Sequence, residues 1–331
     1  MILTLLGCIT LTVDPRPPAT GVDDCAGCVQ NALTGDVIAL VNGKLTDSAS
    51  AYTTNATLED GTVLGASVFL HDPATADLVK LGNLDLGADD LGDGALARLA
   101  VRDLAWDSDA GLWAVGIDAV NDEWLLLHVD VPDWSGTDQR LPVTSYAFRT
   151  TDPVYWESAV SALAFVDGAL VVATQGDAGG AGGRVYRSAV PTGWSVDPAW
   201  PDDPTYYADA VLTEVWTSFP EGLGVAGDIA DGDWPLTTVR AERSSAGPLD
   251  ENALWELGDP PAPVGTTFPV VRNQDIEGVA VIDGVPWGVD TEGVTWRGEG
   301  SQATRGVELG PAFTDPEDGV RLRGAATVVL P

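Results

Sequence analysis

The segment VRDLAWDSDAGLWAVGI at residues 101–117 decides the fold class, because two β-prone apolar runs lie on either side of an Asp- and Gly-rich turn. This pattern predicts two antiparallel strands joined by a hairpin turn. A third apolar run, WLLLHVD, follows at residues 124–130. A helical period is almost nowhere sustained along the chain, so the sequence predicts an all-β protein.

The same strand–turn–strand pattern recurs elsewhere in the chain. AVSALAFVDGALVVAT occupies residues 159–174 and DIEGVAVIDGVPWGVD occupies residues 275–290, with weaker copies at 63–84 and 211–229. Repetition at intervals of about 40–60 residues is typical of the four-stranded blades of a β-propeller. The sequence therefore predicts a β-propeller of six blades, with seven as the other count. A β-sandwich with long loops is the alternative fold.

Each end of the globular region is also expected to form a strand. DVIALV occupies residues 36–41 and VRLRGAATVVL occupies residues 320–330. A propeller hides the edges of its first and last blades when strands from the two ends pair, and we expect that closure here. The expected organisation is a leader at residues 1–8, a proline-rich spacer with a C-x-x-C pair at 9–30, and the propeller domain at 31–331.

Three carboxylates are the candidate ligand-binding residues. In a propeller the innermost strands line a central channel, and polar side chains at the starts of these strands meet at one mouth. Asp275 and Glu277 start the strongest repeat, and Asp103 belongs to an equivalent strand. Carboxylates are ligands that a hard cation such as Ca²⁺ prefers. The alternative is that Asp103 and Asp275 accept hydrogen bonds from backbone N–H groups of the adjoining blade and only fix its geometry.

The sequences DLAWD at residues 103–107 and DIEGVA at residues 275–280 resemble the inner-strand motif of bacterial propellers of the SdiA-regulated and esterase-like phytase type. The resemblance implies a propeller fold. It also implies Ca²⁺ at the channel mouth, as in related propellers with lactonase or phosphatase activity, where the ion polarises a carbonyl or phosphoryl oxygen. A shared fold does not by itself assign that activity.

The first residues, MILTLLGC, end in Leu5-Leu6-Gly7-Cys8 and resemble the lipobox of bacterial lipoprotein signal peptides. The resemblance implies cleavage before Cys8 and a lipid on its sulfur, which would hold the protein at the bacterial envelope, either periplasmic or on the cell surface. The lipid would then be its contact with the membrane. A short amino-terminal strand with a buried cysteine is the alternative.

The other two cysteines, Cys25 and Cys28, form a C-x-x-C pair. In an exported protein we expect a disulfide between them, and free thiols or redox chemistry are the alternatives. A c-type haem site requires a histidine directly after the second cysteine, where this chain has Val29. The motif therefore excludes haem attachment.

Charge and motifs narrow the function. The chain carries 16 basic and 50 acidic residues, a formal net charge of −34, so nucleic acid and anionic lipid surfaces would repel it. It contains no Gly-x-Ser-x-Gly elbow, P-loop or metalloprotease helix motif. We expect a binding module and not an enzyme, with a protein, glycan or small molecule as the ligand. The alternatives are a calcium-dependent hydrolase of an ester, lactone or phosphate, and a component of an envelope complex.

Overall fold

The computed structural model is an all-β fold of 22 strands, with no helix in the part of the chain that it describes. That part offers no helix long and apolar enough to cross a membrane. The expected lipidation at Cys8, the expected Cys25–Cys28 disulfide and Asp275 all lie outside it. The described residues are 33–44, 56–57, 62–88, 99–118, 123–150, 160–166, 168–174, 184–191, 210–212, 214–218, 223–230, 235–241, 249–256, 262–271, 276–290, 292–309 and 320–330.

The largest sheet has ten strands and contains two groups of four. The first group comprises β1 (Asp36–Lys44), β3 (Thr62–Asp72), β4 (Asp77–Ala88) and β22 (Val320–Val329). The second comprises β5 (Leu99–Asp107), β6 (Gly111–Asp118), β7 (Glu123–Val129) and β8 (Gln139–Thr150). The order of strands is β22-β1-β3-β4 in the first group and β5-β6-β7-β8 in the second.

A parallel pairing of β4 with β8 joins these two groups. Two short strands complete the sheet: β2 (Ala56–Thr57) pairs with β3, and β12 (Ala210–Leu212) pairs with β8. The two ends of the strand path, β22 and β5, also contact each other. The sheet is therefore nearly closed on itself.

The other strands form three separate four-stranded sheets. The third group comprises β9 (Val160–Val166), β10 (Ala169–Thr174), β11 (Arg184–Ser188) and β13 (Glu214–Ser218). The fourth comprises β14 (Leu223–Ala230), β15 (Pro235–Ala241), β16 (Leu249–Glu256) and β17 (Ala262–Val271). The fifth comprises β18 (Ile276–Ile282), β19 (Val285–Asp290), β20 (Val294–Arg297) and β21 (Thr304–Glu308).

The expected pairing of the two terminal strands is confirmed. β1 and β22 are antiparallel, with a register that runs from Asp36 opposite Val329 to Lys44 opposite Val320. The expected six or seven four-stranded units are not confirmed, because the described strands form five such groups plus β2 and β12. The segment at residues 63–84, a weak repeat in the sequence, forms β3 and β4 in the same group as the two terminal strands, which lowers the count.

The first group is buried on both faces, which explains its apolar sequence. Along β1, Val37 and Ala39 belong to a hydrophobic cluster shared with the second group, whereas Ile38 and Leu40 belong to a cluster shared with the fifth group. Successive side chains of a strand point to opposite faces, so each face packs against a different neighbouring sheet. Full burial of an Ile or Leu side chain stabilises the fold by about 2 kcal/mol.

One strand from each group lies in a ring of contacts. β22 contacts β5, β5 contacts β9, β9 contacts β14, β14 contacts β18, and β18 contacts β22. Each of these five strands lies at one edge of its group of four. We call β22, β5, β9, β14 and β18 the inner strands, because every group meets its neighbours through them.

Candidate functional site

Each inner strand contains a β-bulge at an equivalent place. At the bulge, one residue of the inner strand has no counterpart in the strand paired with it. In β5, for example, Val101 lies opposite Gly116 and Asp103 lies opposite Val115, which leaves Arg102 as the extra residue. The extra residues in cyclic order are Arg323 in β22, Arg102 in β5, Ser161 in β9, Gly227 in β14 and Glu277 in β18.

These five positions, which we call the bulge ring, share a local sequence. An alanine follows each of them three residues later, and an apolar residue precedes that alanine. Bulges bend a strand and redirect its side chains, and they are common next to functional sites. The repeated bulges therefore give the five ring residues equivalent positions in their own strands. The alanines are Ala326, Ala105, Ala164, Ala230 and Ala280.

Asp103 directly follows a ring residue and is fully buried. Its Oδ1 accepts a hydrogen bond from the backbone N–H of Leu104 at 2.8 Å, and its Oδ2 accepts one from the N–H of Leu163 at 2.9 Å. Leu163 belongs to β9, so the carboxylate links two adjacent inner strands. This arrangement matches the structural alternative for Asp103, since both oxygens receive backbone donors.

Glycine occupies the position equivalent to Asp103 in β18 and β22. A Cβ atom on Gly324 would lie 2.5 Å from the Cα of Asp103, and a Cβ on Gly278 would lie 2.6 Å from the backbone N of Ala325. Real Cβ atoms do not approach other atoms this closely. The two glycines therefore let the backbones of β18, β22 and β5 come into direct contact.

Glu277 forms an ion pair with a residue of the neighbouring inner strand. Its Oε2 lies 3.5 Å from Nη1 of Arg323, and the side chains are 19% and 4% exposed respectively. The Nε and Nη2 atoms of Arg323 are buried and have no hydrogen-bond partner in the described part of the chain. Burial of a charged group with unfilled donors is costly, which makes this guanidinium the most unusual group of the ring.

Asp103 and Glu277, the two candidate carboxylates that the structure describes, do not meet at a common cation site. Asp103 lies in β5 and Glu277 in β18, with β22 between them in the ring, and Asp275 lies outside the described residues. Ca²⁺ takes six to eight oxygen ligands, whereas Asp103 binds backbone N–H groups and Glu277 faces a guanidinium. The described side chains contain no group of three His, Cys, Asp or Glu residues that could hold a metal ion. With these partners, Asp103 and Glu277 do not fit Ca²⁺.

Two ring residues, Arg102 and Arg323, were not among the sequence-predicted candidates. Their signal lies in the alignment on the alanine: RDLA at residues 102–105, EGVA at 277–280 and RGAA at 323–326 have the same spacing. In this alignment both arginines share a position with Glu277. An alignment on Asp103 and Asp275 does not show this shared position, because the two aspartates lie at different distances from the bulge residue in the sequence.

Comparison with models of known protein families and with curated proteins found no match for this chain. The resemblance of its inner strands to calcium-dependent propellers therefore has no support from an overall relationship.

Proposed function

We propose that this chain is a five-bladed β-propeller that acts as an exported, lipid-anchored binding module of the bacterial envelope. In this proposal the five groups of four strands are the blades, and the inner strands surround the central axis. Support comes from the cyclic contacts of the inner strands, from the pairing of β1 with β22, and from hydrophobic clusters between neighbouring groups. Ring closure would leave no exposed edge on an inner strand.

The binding role rests on one observation, which is the bulge ring. Five bulges lie at equivalent positions in strands spread from β5 to β22, and in the proposed propeller they would bring residues from the whole chain around one centre. Side chains of both charges, Glu277 and Arg323, meet there in a largely enclosed ion pair. Ligand sites commonly combine an enclosed location with a few polar groups from several elements. The ligand is a protein segment, a glycan or a small molecule.

Binding is favoured over hydrolysis because the carboxylates of the described site already have other partners. Asp103 accepts two backbone hydrogen bonds, and Glu277 lies beside Arg323. A hydrolase that relies on Ca²⁺ would need these oxygens for the metal.

A ligand screen tests the binding role. The full chain would be melted in the presence of envelope glycans, peptides and small metabolites, since a ligand that binds the folded state raises the Tm. We expect at least one ligand whose stabilisation is lost in Arg323→Ala and kept in the control Arg297→Ala, which alters an exposed ion pair with Glu299. Ligands that stabilise both variants equally would contradict a site at the ring. Turnover of an ester, lactone or phosphate that is lost in Glu277→Ala would favour the hydrolase.

The proposed anchor has its own test. In a bacterial host the wild-type protein is expected in the membrane fraction, and Cys8→Ser is expected in the soluble fraction, because the acyl chains that bind the membrane would be absent. Cys25→Ser serves as the control and should stay with the membrane. Equal partitioning of all three proteins would argue against lipidation at Cys8.

A further inference from the structure

The guanidinium of Arg323 has binding capacity that the described residues leave unused. Arg323 is 3% exposed, and among the described residues its charge is met by one ion pair, between Nη1 and Glu277. The Nε and Nη2 atoms are enclosed without a hydrogen-bond partner among the described residues. A folded protein keeps a charged group in such surroundings at a cost, so a partner for these donors would stabilise the folded state.

The chemistry of the unused donors identifies that partner. Nε and Nη2 form one edge of the planar guanidinium, and this edge matches the two oxygens of a carboxylate or a phosphate group. The contact to Glu277, at 3.5 Å, is longer than the roughly 2.7–2.9 Å of a strong charge-assisted hydrogen bond. Glu277 therefore does not make the strongest contact that this guanidinium can form with an oxyanion.

The position of Arg323 in the ring supports the same conclusion. Its neighbours among the ring positions are Glu277 in β18 and Arg102 in β5, so these three positions hold two guanidiniums and one carboxylate. The other two positions hold the short residues Ser161 and Gly227. In a chain with a formal net charge of −34, the ring positions thus carry a local excess of positive charge.

We propose that Arg323 anchors a site for an oxyanion, the carboxylate or phosphate group of a ligand, and that this oxyanion displaces Glu277. The inference rests on the proposed binding role and specifies its ligand class. Glu277 is the more exposed member of the pair, so its carboxylate can turn to solvent while the enclosed guanidinium stays in place. Glu277 then occupies the site when no ligand is bound.

Anion titration of the full chain tests this assignment. Sodium phosphate and sodium acetate would be titrated separately against a sodium chloride series of equal ionic strength, with Tm as the readout. We expect a saturable rise in Tm for the wild type. Glu277→Gln removes a negative charge beside the site while keeping the side-chain shape, so it should tighten anion binding by about tenfold. Arg323→Lys keeps the charge but loses the planar edge, so it should abolish the saturable rise.

The matched control is the exposed ion pair of Arg297 and Glu299, in which Nη2 lies 2.7 Å from Oε1. Arg297→Lys and Glu299→Gln make the same chemical changes and should leave the anion response unchanged. A response to phosphate alone would assign a phosphate-bearing ligand, and a response to acetate alone would assign a carboxylate. If Arg323→Lys fails to fold, the comparison of the wild type with Glu277→Gln decides, because a purely structural ion pair predicts no gain in anion affinity.

The inference is overturned if neither anion produces a saturable shift in the wild type and in Glu277→Gln, or if the shift persists unchanged in a folded Arg323→Lys. Its failure differs from failure of the binding role. An uncharged glycan that binds at the ring would refute the oxyanion assignment and leave the binding module intact. A saturable anion response accompanied by turnover of an ester would refute the binding module and leave the oxyanion site intact.

Discussion

At the residue after the bulge, β5 carries Asp103, whereas β22 and β18 carry Gly324 and Gly278. The two solutions bring neighbouring inner strands together in different ways. The carboxylate of Asp103 spans the gap to β9 by accepting a hydrogen bond from the N–H of Leu163. The glycines remove the gap, since a Cβ on either of them would overlap the backbone of the next strand.

This difference shows that a carboxylate in a repeated motif can serve packing instead of chemistry. Asp103 and Glu277 both look like ligand-binding candidates in the sequence. In the structure Asp103 links two inner strands through the N–H of Leu163, whereas Glu277 lies at the bulge beside Arg323. The offset of a single residue relative to the bulge separates the two roles.

Gly324→Ala should cost the most stability. The added Cβ would meet the Cα of Asp103 at 2.5 Å, and a backbone atom cannot move aside as a flexible side chain can. Overpacking of this kind costs on the order of 3 kcal/mol, which chemical denaturation of the full chain would measure. Gly168→Ala is the control, because that position is open and only its positive φ of 68° opposes alanine, at about 1 kcal/mol. Equal losses in the two variants would contradict direct contact between β22 and β5.

Asp103→Asn should have the next largest effect. An amide has one acceptor oxygen, so one of the N–H groups of Leu104 and Leu163 would face the NH2 group of the new side chain. An unpaired buried N–H costs about 1–3 kcal/mol. Faster hydrogen exchange at Leu163 would show that the contact between strands is the one affected. Asp107→Asn, in a turn where Oδ1 accepts bonds from Asp109 and Ala110, should cost less because the turn is near water.

Acid should weaken the first group of strands, which contains Gly324 in β22, before the second group, which contains Asp103 in β5. His71 in β3 is fully buried, its Nδ1 donates to the carbonyl of Asp77 at 3.0 Å, and its Nε2 is buried without a partner in the described structure. Burial lowers the pKa of His71 below its ordinary value of 6.5. Below pH 6.5 the unfolded chain takes up a proton at His71, whereas the imidazole of the folded protein stays neutral. The free energy of unfolding therefore decreases as the pH falls, until the pH reaches the pKa of His71 in the folded state.

Hydrogen exchange at about pH 7.5 and about pH 5 would measure this effect. We expect amides of β1 and β3 to lose protection in acid before those of β5 and β6. His71→Gln should reduce that difference, because glutamine does not titrate. An unchanged acid response in the variant would exclude His71 as the cause.

Calcium should have the smallest effect. Because the oxygens of Asp103 are held by backbone donors and Glu277 lies beside a guanidinium, we expect neither EDTA nor added Ca²⁺ to change the Tm of the wild type or of Glu277→Ala. A rise in Tm with Ca²⁺ that is lost in Glu277→Ala would show that a metal displaces Arg323. It would support the hypothesis of a calcium-dependent hydrolase.

Local features of the fold could be predicted from the sequence, and the number of groups could not. The hairpins β5–β6, β9–β10 and β18–β19 follow from apolar runs around Asp- and Gly-containing turns, and the pairing of β1 with β22 follows from apolar segments at both ends. The count differed because these end segments form one group with β3 and β4. The parallel pairing of β12 with β8 had no local signal, since it joins segments that are distant in sequence.

Glu277 could be selected from the sequence because it begins the most regular repeat. Arg323 could not, because its importance depends on burial and on the register shift opposite Val41 and Asn42. A bulge is a relation between two strands and leaves little trace in either strand alone. The strongly acidic composition favours a cation as the ligand. The guanidinium of Arg323, which is enclosed and incompletely hydrogen-bonded in the described structure, is a cation itself.

The pairing of β1 with β22 has a consequence for the order of folding. These strands lie roughly 290 residues apart in the sequence, and contacts of such long range form late because closing the intervening loop costs entropy. Arg323 and Gly324 both belong to β22, so the strand that completes the ring also delivers the guanidinium. A chain still emerging from the ribosome has neither, so the proposed oxyanion site can form only after synthesis has passed residue 329.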